Sequence, residues 1–142
     1  MIAVINGPNL NLLGHREPEI YGKTDFLDFL KTLREKYPYE TIEYFQSNSE
    51  GEIIDQIQKF GFDSACKGII LNPGGYTHYS VAIADAVAAV PATVIEVHIS
   101  NIHAREEFRH QSVTARAAKA LIAGLGLHGY TLAVDYLSKL SK

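Results

Sequence analysis

Several residue types are scarce in this sequence, which has a single cysteine, Cys66, one methionine and no tryptophan in 142 residues. One cysteine excludes an internal disulfide and any zinc site built from several cysteines, and it fits a reducing compartment. No uncharged apolar run approaches the roughly 18 residues that cross a bilayer, and Met1 leads into IAVI without the basic segment of a signal peptide. The formal charge of −3 creates no basic field that would favour nucleic acid or an anionic membrane. These absences predict a cytoplasmic protein.

The rest of the composition is that of an ordinary globular protein, with 46% hydrophobic and 20% charged residues. A chain of this length is sufficient for one buried core. Residues 1–142 are therefore predicted to form a single domain, without repeats or linkers.

Short apolar runs alternate with segments of helical periodicity along the chain. Strands are predicted at residues 2–5, 40–46, 68–71, 93–97 and 117–123, the last of them buried. Helices are predicted from Thr24 to Tyr37, from a capping box of Ser49 and Glu52 to Gly61, from Thr77 or Ser80 to Pro91, and over residues 127–140. Residues 112–117 are ambiguous between the two patterns. The alternation predicts an α/β protein whose parallel sheet carries helices on both faces.

The segment from Asn6 to Gly22, NGPNLNLLGHREPEIYG, is the most informative part of the chain. It is too polar and too rich in glycine and proline for a predicted helix or strand, and loops of this length are uncommon in small domains. It contains the amide of Asn9, the cation of Arg16 and the phenol of Tyr21. These features favour an active-site lid that closes over a ligand.

Further chemical groups follow the third and fourth predicted strands, so they should converge with the early loop at the carboxyl edge of the sheet. They are Asn72, His78, Asp85, Glu96, His98, Ser100, Asn101, Arg105 and Arg109. The set has no strand-end lysine, no Gly-x-Ser-x-Gly turn and no cluster of carboxylates for a metal. It favours proton transfer and carboxylate recognition.

Each of these residues also has a structural alternative. Tyr21 could pack on the loop, Arg16 could be a solvated surface charge, and Glu96 could pair with a nearby arginine. His98 and His103 could suggest zinc, but no third ligand lies at a suitable spacing, so no metal is predicted.

Four segments together resemble the type II 3-dehydroquinate dehydratases: the early loop, NPGGYTHYSVAIADA, EVHISN and REEFRHQSV. The resemblance implies a flavodoxin-like fold with strand order 2-1-3-4-5, and a homododecamer built of trimers. It implies a hydro-lyase that converts 3-dehydroquinate to 3-dehydroshikimate, in the shikimate pathway to chorismate and aromatic amino acids or in quinate breakdown, without a cofactor. Gly75 and Ala84 stand where the family more often has Ala and Arg.

The resemblance also implies a role for individual residues. Tyr21 corresponds to the base that removes a C2 proton, Arg16 to the cation that supports its phenolate and the transition state, and Asn9 to the residue that stabilises the enolate through a water. His98 corresponds to the acid that protonates the departing C1 hydroxyl, and Glu96 to its orienting partner. The ligand-binding set corresponds to Asn72, His78, Ile99, Ser100 and Arg109, with Asp85 serving the site of a neighbouring subunit.

Two other functions remain possible for the same fold. A flavodoxin-like module for FMN or a nucleotide would need a phosphate loop rich in Ser and Thr after the first strand, where this chain has Pro8, Leu10, Leu12 and Leu13. A scaffold protein that had lost activity would have little reason to keep Arg16, Tyr21 and His98 together.

Overall fold

The structure is a computed structural model that describes residues 1–140, so the last two residues of the predicted domain lie outside the described residues. The strands are β1 (Ile2–Asn6), β2 (Ile42–Gln46), β3 (Gly68–Asn72), β4 (Thr93–His98) and β5 (Ala120–Ala123). The α-helices are α1 (Pro18–Tyr21), α2 (Phe26–Lys36), α3 (Glu50–Gly61), α4 (Val81–Ala89) and α5 (His128–Ser138). Short 3-10 helices cover Leu10–Leu12, Gly74–His78, Ile102–Ala104 and Glu107–Arg109.

The five strands form one parallel sheet in the order β2-β1-β3-β4-β5, which confirms the predicted flavodoxin-like fold. Asn6 pairs with Asn72 across β1 and β3, so both strands end at the same level. The segments that follow β1, β3 and β4 therefore meet at the carboxyl edge, as the sequence predicts.

Alternate residues of each central strand enter two apolar layers, because side chains on a strand point to opposite faces. Ile2 and Val4 join the layer beneath α2 and α5, whereas Ala3 and Ile5 join the layer beneath α3 and α4. All four side chains are fully buried. The sheet is thus covered on both faces, which explains why its central strands are apolar without alternation.

The helix starts differ from the sequence predictions in detail. Helix α2 is capped by Asp25 rather than by Thr24, because the Asp25 carboxylate accepts the Leu27 N–H at 2.8 Å. Helix α4 is capped by Ser80, and Thr77 lies in the preceding 3-10 helix.

The predicted capping box of α3 is only half formed. Ser49 caps the helix by accepting the N–H of Glu52. The Glu52 carboxylate instead accepts the Ser47 hydroxyl, and the Ser47 oxygen accepts the Ser49 N–H at 2.9 Å. Ser47 therefore lies between the Glu52 carboxylate and the Ser49 N–H, which a complete capping box would join directly.

Two predictions at the level of elements are wrong. Strand β5 covers only Ala120–Ala123 and is exposed or half-buried, because it is the edge strand of the sheet in this chain. The early loop was expected to contain no helix, yet it holds Leu10–Leu12 and α1. Pro18 begins α1, since its fixed φ suits the first helical position.

Candidate active site

A cleft of about 140 Å³ lies at the carboxyl edge of the sheet, between the segments that follow β1, β3 and β4. Nine of the predicted site residues line it: Asn9, Arg16, Tyr21, Asn72, His78, His98, Ile99, Ser100 and Arg109. Glu96 is fully buried behind His98. Asp85 is the exception, because it is exposed on α4 and does not line the cleft.

Two interlocked turns form the floor of the cleft. A Cβ on Gly7 would lie 2.5 Å from the carbonyl oxygen of Pro73, so only glycine fits there. Gly74 has a φ of +61° and packs against Pro8. The Gly7 N–H donates to the Asn72 carbonyl at 2.7 Å, which joins the two turns directly.

A buried polar chain fixes the Asn72 amide from below. The Tyr130 hydroxyl donates to Asn6 Oδ1 at 2.8 Å and accepts from Asn72 Nδ2 at 2.9 Å. Asn72 Oδ1 in turn accepts the Gly74 N–H at 3.1 Å. Burial raises the pKa of Tyr130 far above its ordinary range, so its hydroxyl keeps the proton that it donates.

Tyr21 stands at the end of α1 in the early loop, with two guanidinium groups around it. Arg105 Nη1 donates to the Tyr21 hydroxyl oxygen at 2.8 Å, and its guanidinium carbon lies 5.5 Å from the ring centroid. The Arg16 guanidinium lies 5.3 Å from the same centroid and forms an ion pair with Glu17 at 3.0 Å. The phenol oxygen is therefore held by Arg105, while Arg16 contacts the ring.

His98 is the last residue of β4 and brings an imidazole to the cleft. Its Nε2 lies 2.6 Å from Glu96 Oε1, so an ionised Glu96 requires the proton on Nε2. Nδ1 is then the nitrogen that is left for a ligand in the cleft. Glu96 also accepts the hydroxyls of Ser112 at 2.7 Å and Thr114 at 2.6 Å. Within the described residues it forms no ion pair with an arginine, so its alternative role is not seen there.

His78 and Arg109 occupy the wall of the cleft that faces solvent. His78 Nδ1 lies 2.8 Å from the Gln111 carbonyl oxygen and therefore donates to it. Burial lowers the pKa of His78 below its ordinary value, and the charges of His98 and Arg109 act in the same direction. Arg109 forms an ion pair with Glu106 at 2.8 Å.

Asn9 is held in a strained backbone conformation at the start of the early loop, with a φ of +67°. Its N–H donates to Asn48 Oδ1 at 3.0 Å, which ties the loop to the segment after β2. Asparagine tolerates this conformation better than most residues. The tie keeps Asn9 against the cleft.

Three residues that matter to this geometry were not assigned to the site from the sequence. The sequence indicates Arg105 only as a cation near the carboxyl edge of the sheet. Ser112 and Thr114 lie in residues 112–117, where the sequence pattern is ambiguous. Their signal was indirect: a buried carboxylate at position 96 demands several hydrogen-bond donors.

Within residues 1–140, no helix is both long and apolar enough to cross a membrane. Over the same residues, no group of three His, Cys, Asp or Glu side chains is arranged to hold a metal ion.

Comparison with known proteins gives a consistent result. The family model described as dehydroquinase class II matches residues 1–138. The 3-dehydroquinate dehydratase of Lachnoclostridium phytofermentans is 57% identical over 94% of this chain and 93% of its own length. A crystal structure of type II dehydroquinase from Butyrivibrio crossotus is 50% identical with a TM-score of 0.90, and covers 97% of each chain. A type II dehydroquinase from Propionibacterium acnes is 45% identical with a TM-score of 0.92, over 98% of this chain and 96% of that one.

Proposed function

Because the chain belongs to the class II dehydroquinase family, we propose that it dehydrates 3-dehydroquinate to 3-dehydroshikimate. One observation carries the proposal: a phenol bound by a guanidinium and an imidazole bound by a buried carboxylate line the same cleft. A base and an acid on separate elements suit an elimination in which the proton and the hydroxyl leave from opposite faces. The reaction consumes no cofactor.

The first step is removal of a C2 proton by the phenolate of Tyr21, which gives an enolate at the neighbouring ketone. A free tyrosine has a pKa of about 10, so a tyrosine that acts near neutral pH needs about 4 kcal/mol of help. An exposed arginine supplies about 1 kcal/mol or less. The Arg105 hydrogen bond, with Arg16 on the ring, supports this role most strongly when the early loop excludes water.

The second step is loss of the C1 hydroxyl, which takes a proton from Nδ1 of the His98 imidazolium, leaves as water and gives the conjugated enone; His98 is left neutral, with its remaining proton on Nε2 toward Glu96. Glu96 holds the imidazole from behind, so that Nδ1 faces the ligand. Asn9 stabilises the enolate through a water, as a preorganised donor does in other enzymes. The remaining cleft residues bind the substrate: Asn72, His78, Ile99, Ser100 and Arg109.

Further parts of the proposal concern the setting of the enzyme. The domain works in the cytoplasm as a homododecamer built of trimers, in the shikimate pathway or in quinate breakdown. Asp85, exposed on α4, reaches the cleft of a neighbouring subunit.

The test is the ultraviolet absorbance of a mixture of the purified protein and 3-dehydroquinate, which should rise as the enone forms. Tyr21→Phe should lower the rate at least about 100-fold, because a positioned base contributes at least that factor. A variant that kept more than a tenth of the rate would show that another group is the base. Flavin absorbance in the purified protein, with no turnover, would favour the FMN-binding alternative.

A further inference from the structure

The Glu96 carboxylate is held by hydrogen bonds on both of its oxygens. Oε1 accepts from His98 at 2.6 Å and from Ser112 at 2.7 Å, whereas Oε2 accepts from Thr114 at 2.6 Å. Glu96 and Thr114 are both fully buried. Within residues 1–140, Thr114 is the one donor to Oε2.

The protons of the two hydroxyls can be assigned from these contacts. Ser112 Oγ accepts the Ala115 N–H at 2.9 Å and gives its own proton to Glu96. Thr114 has a single hydroxyl proton, and its short contact with Oε2 uses it. The 3.3 Å contact between the two hydroxyl oxygens therefore has no proton to share.

We propose that Thr114 is a positioning residue for the acid step: its hydroxyl keeps Glu96 ionised and oriented, and Glu96 keeps His98 protonated with Nδ1 toward the leaving group. This inference rests on the proposed function and refines it. Without the hydroxyl, Oε2 becomes a buried charge without a donor, which favours moving the His98 proton onto Glu96. A neutral His98 paired with a protonated Glu96 cannot protonate the departing hydroxyl.

Thr114 is better suited to a test than Ser112. The Ser112 oxygen also holds the backbone of Ala115, so its loss would disturb the turn. Within residues 1–140 the hydrogen bonds of the Thr114 hydroxyl lead only to Glu96 and Ser112, and the Thr114 carbonyl separately accepts the N–H of Ala117. Thr114→Val keeps the shape of the side chain and removes the donor, whereas Thr114→Ser keeps the donor.

The experiment separates the acid step from the base step. In D2O, NMR measures both the formation of 3-dehydroshikimate and the exchange of the C2 proton in the remaining 3-dehydroquinate. For Thr114→Val we expect a dehydration kcat about tenfold lower, a KM within about twofold, and a higher ratio of exchange to dehydration, because the enolate returns to substrate more often. Thr114→Ser should stay near the wild-type values.

Thr77→Val is the matched control. Thr77 is also a fully buried threonine, and its hydroxyl has no hydrogen-bond partner among the described residues. Its replacement should leave the ratio of exchange to dehydration unchanged. If Thr114→Val fails to fold, Thr114→Cys replaces it, since a thiol is a weak donor.

Three results would overturn the inference: a kcat for Thr114→Val within about twofold of Thr114→Ser, a rise in KM at constant kcat, or equal losses of exchange and dehydration. Proton NMR adds a measurement that needs no turnover. The His98 Nε2 proton should give a downfield signal, protected from solvent, in the wild type and in Thr114→Ser, and a weakened one in Thr114→Val. An unchanged signal in Thr114→Val would contradict the role of Thr114, whether or not the wild type is active. An inactive wild type would contradict only the proposed function.

Discussion

At the scale of single residues, the two arginines near Tyr21 differ in environment. The Arg105 side chain is 16% exposed, donates to the phenol oxygen and lies 3.9 Å from the Glu106 carboxylate. The Arg16 side chain is 37% exposed and pairs with Glu17 at 3.0 Å. A charge with less water around it acts more strongly on its neighbour. Arg105 is therefore the less solvated of the two cations and the one that contacts the Tyr21 oxygen in this conformation.

Arg105→Gln tests that conclusion, because it keeps a donor but removes the charge. We expect a kcat about 10- to 100-fold lower, the equivalent of losing a hydrogen bond to a charged group. Arg116→Gln is the control, since Arg116 is exposed and does not line the cleft. If Arg105→Gln retained half of the wild-type rate in the absorbance assay, Arg16 alone would suffice to activate the base.

His78 gives a pH dependence of stability that can be assigned to one residue. Its pKa in the folded protein lies below the ordinary 6.5 because of burial and nearby positive charge. The unfolded chain therefore takes up the proton first, so the stability associated with a neutral His78 is present above about pH 6.5 and is lost as the pH falls toward the folded pKa.

The measurement compares the free energy of unfolding in urea at about pH 8 and about pH 5.5, at one protein concentration. The wild type should lose more stability than His78→Asn over that interval. His128→Asn, at an exposed histidine, should follow the wild type. Parallel curves for the wild type and His78→Asn would contradict the lowered pKa.

At the scale of elements, the buried Tyr130 hydroxyl adds hydrogen bonds to the apolar packing of helix α5 on the sheet. Tyr130 bridges Asn6 of β1 and Asn72 of β3 from α5, and its side chain is fully buried. The tie joins the last helix to the two strands whose turns form the floor of the cleft.

Tyr130→Phe should therefore destabilise the protein by about 1–3 kcal/mol, because it leaves buried amide groups without their partner. It should also raise KM, since the Asn72 amide then keeps only the weaker of its two hydrogen bonds described above, the one from the Gly74 N–H. Tyr37→Phe is the control, because the Tyr37 hydroxyl binds Asp135 near the surface at the same helix and its loss should cost about 1 kcal/mol or less. Equal losses of unfolding free energy in the two variants would mean that the buried Tyr130 hydrogen bonds stabilise the protein no more than the Tyr37 hydrogen bond does.

The elements that the sequence predicted well are those whose cause is local. The apolar runs of β1, β3 and β4 and the periodicity of α2 and α3 are visible in a few neighbouring residues, and the structure confirms them. The prediction that β5 is buried was wrong, because an apolar run does not indicate whether another strand lies beside it. Helix α1 was missed because four residues are too few to show a period.

The candidate site likewise has residues that the sequence predicts and contacts that it does not. Strand ends predicted that Asn72, Glu96 and His98 would converge, because parallel strands share one carboxyl edge. The contact of Arg105 with Tyr21 joins residues 84 positions apart and depends on how two irregular segments fold. The periodicity of the sequence does not predict such a contact. The contact of Thr114 with Glu96 could not be predicted for the same reason.

At the scale of the whole molecule, Asp85 is the predicted site residue that the single chain does not use. It lies on the exposed face of α4, away from the cleft. If it completes the site of a neighbouring subunit, activity depends on the assembly.

Mixing two inactive variants tests this dependence. Tyr21→Phe and Asp85→Ala chains, unfolded together and refolded, should recover part of the dehydration rate, because some interfaces then pair an intact Tyr21 with an intact Asp85. Each variant refolded alone is the control. Mixed oligomers without any recovery would mean that each site is contained in one chain.

The interlocked turns beneath the cleft also have a consequence for the timescales of motion. The Gly7 N–H lies between the turn after β1 and the turn after β3. Neither turn can move without the other, because Gly7 packs closely against Pro73 and Gly74 against Pro8. We therefore expect hydrogen exchange at this amide to require unfolding of the sheet, and amides around Tyr21 to exchange by local opening of the early loop. On this expectation the floor of the cleft persists for as long as the fold does, whereas Tyr21 leaves the cleft and returns many times within that lifetime.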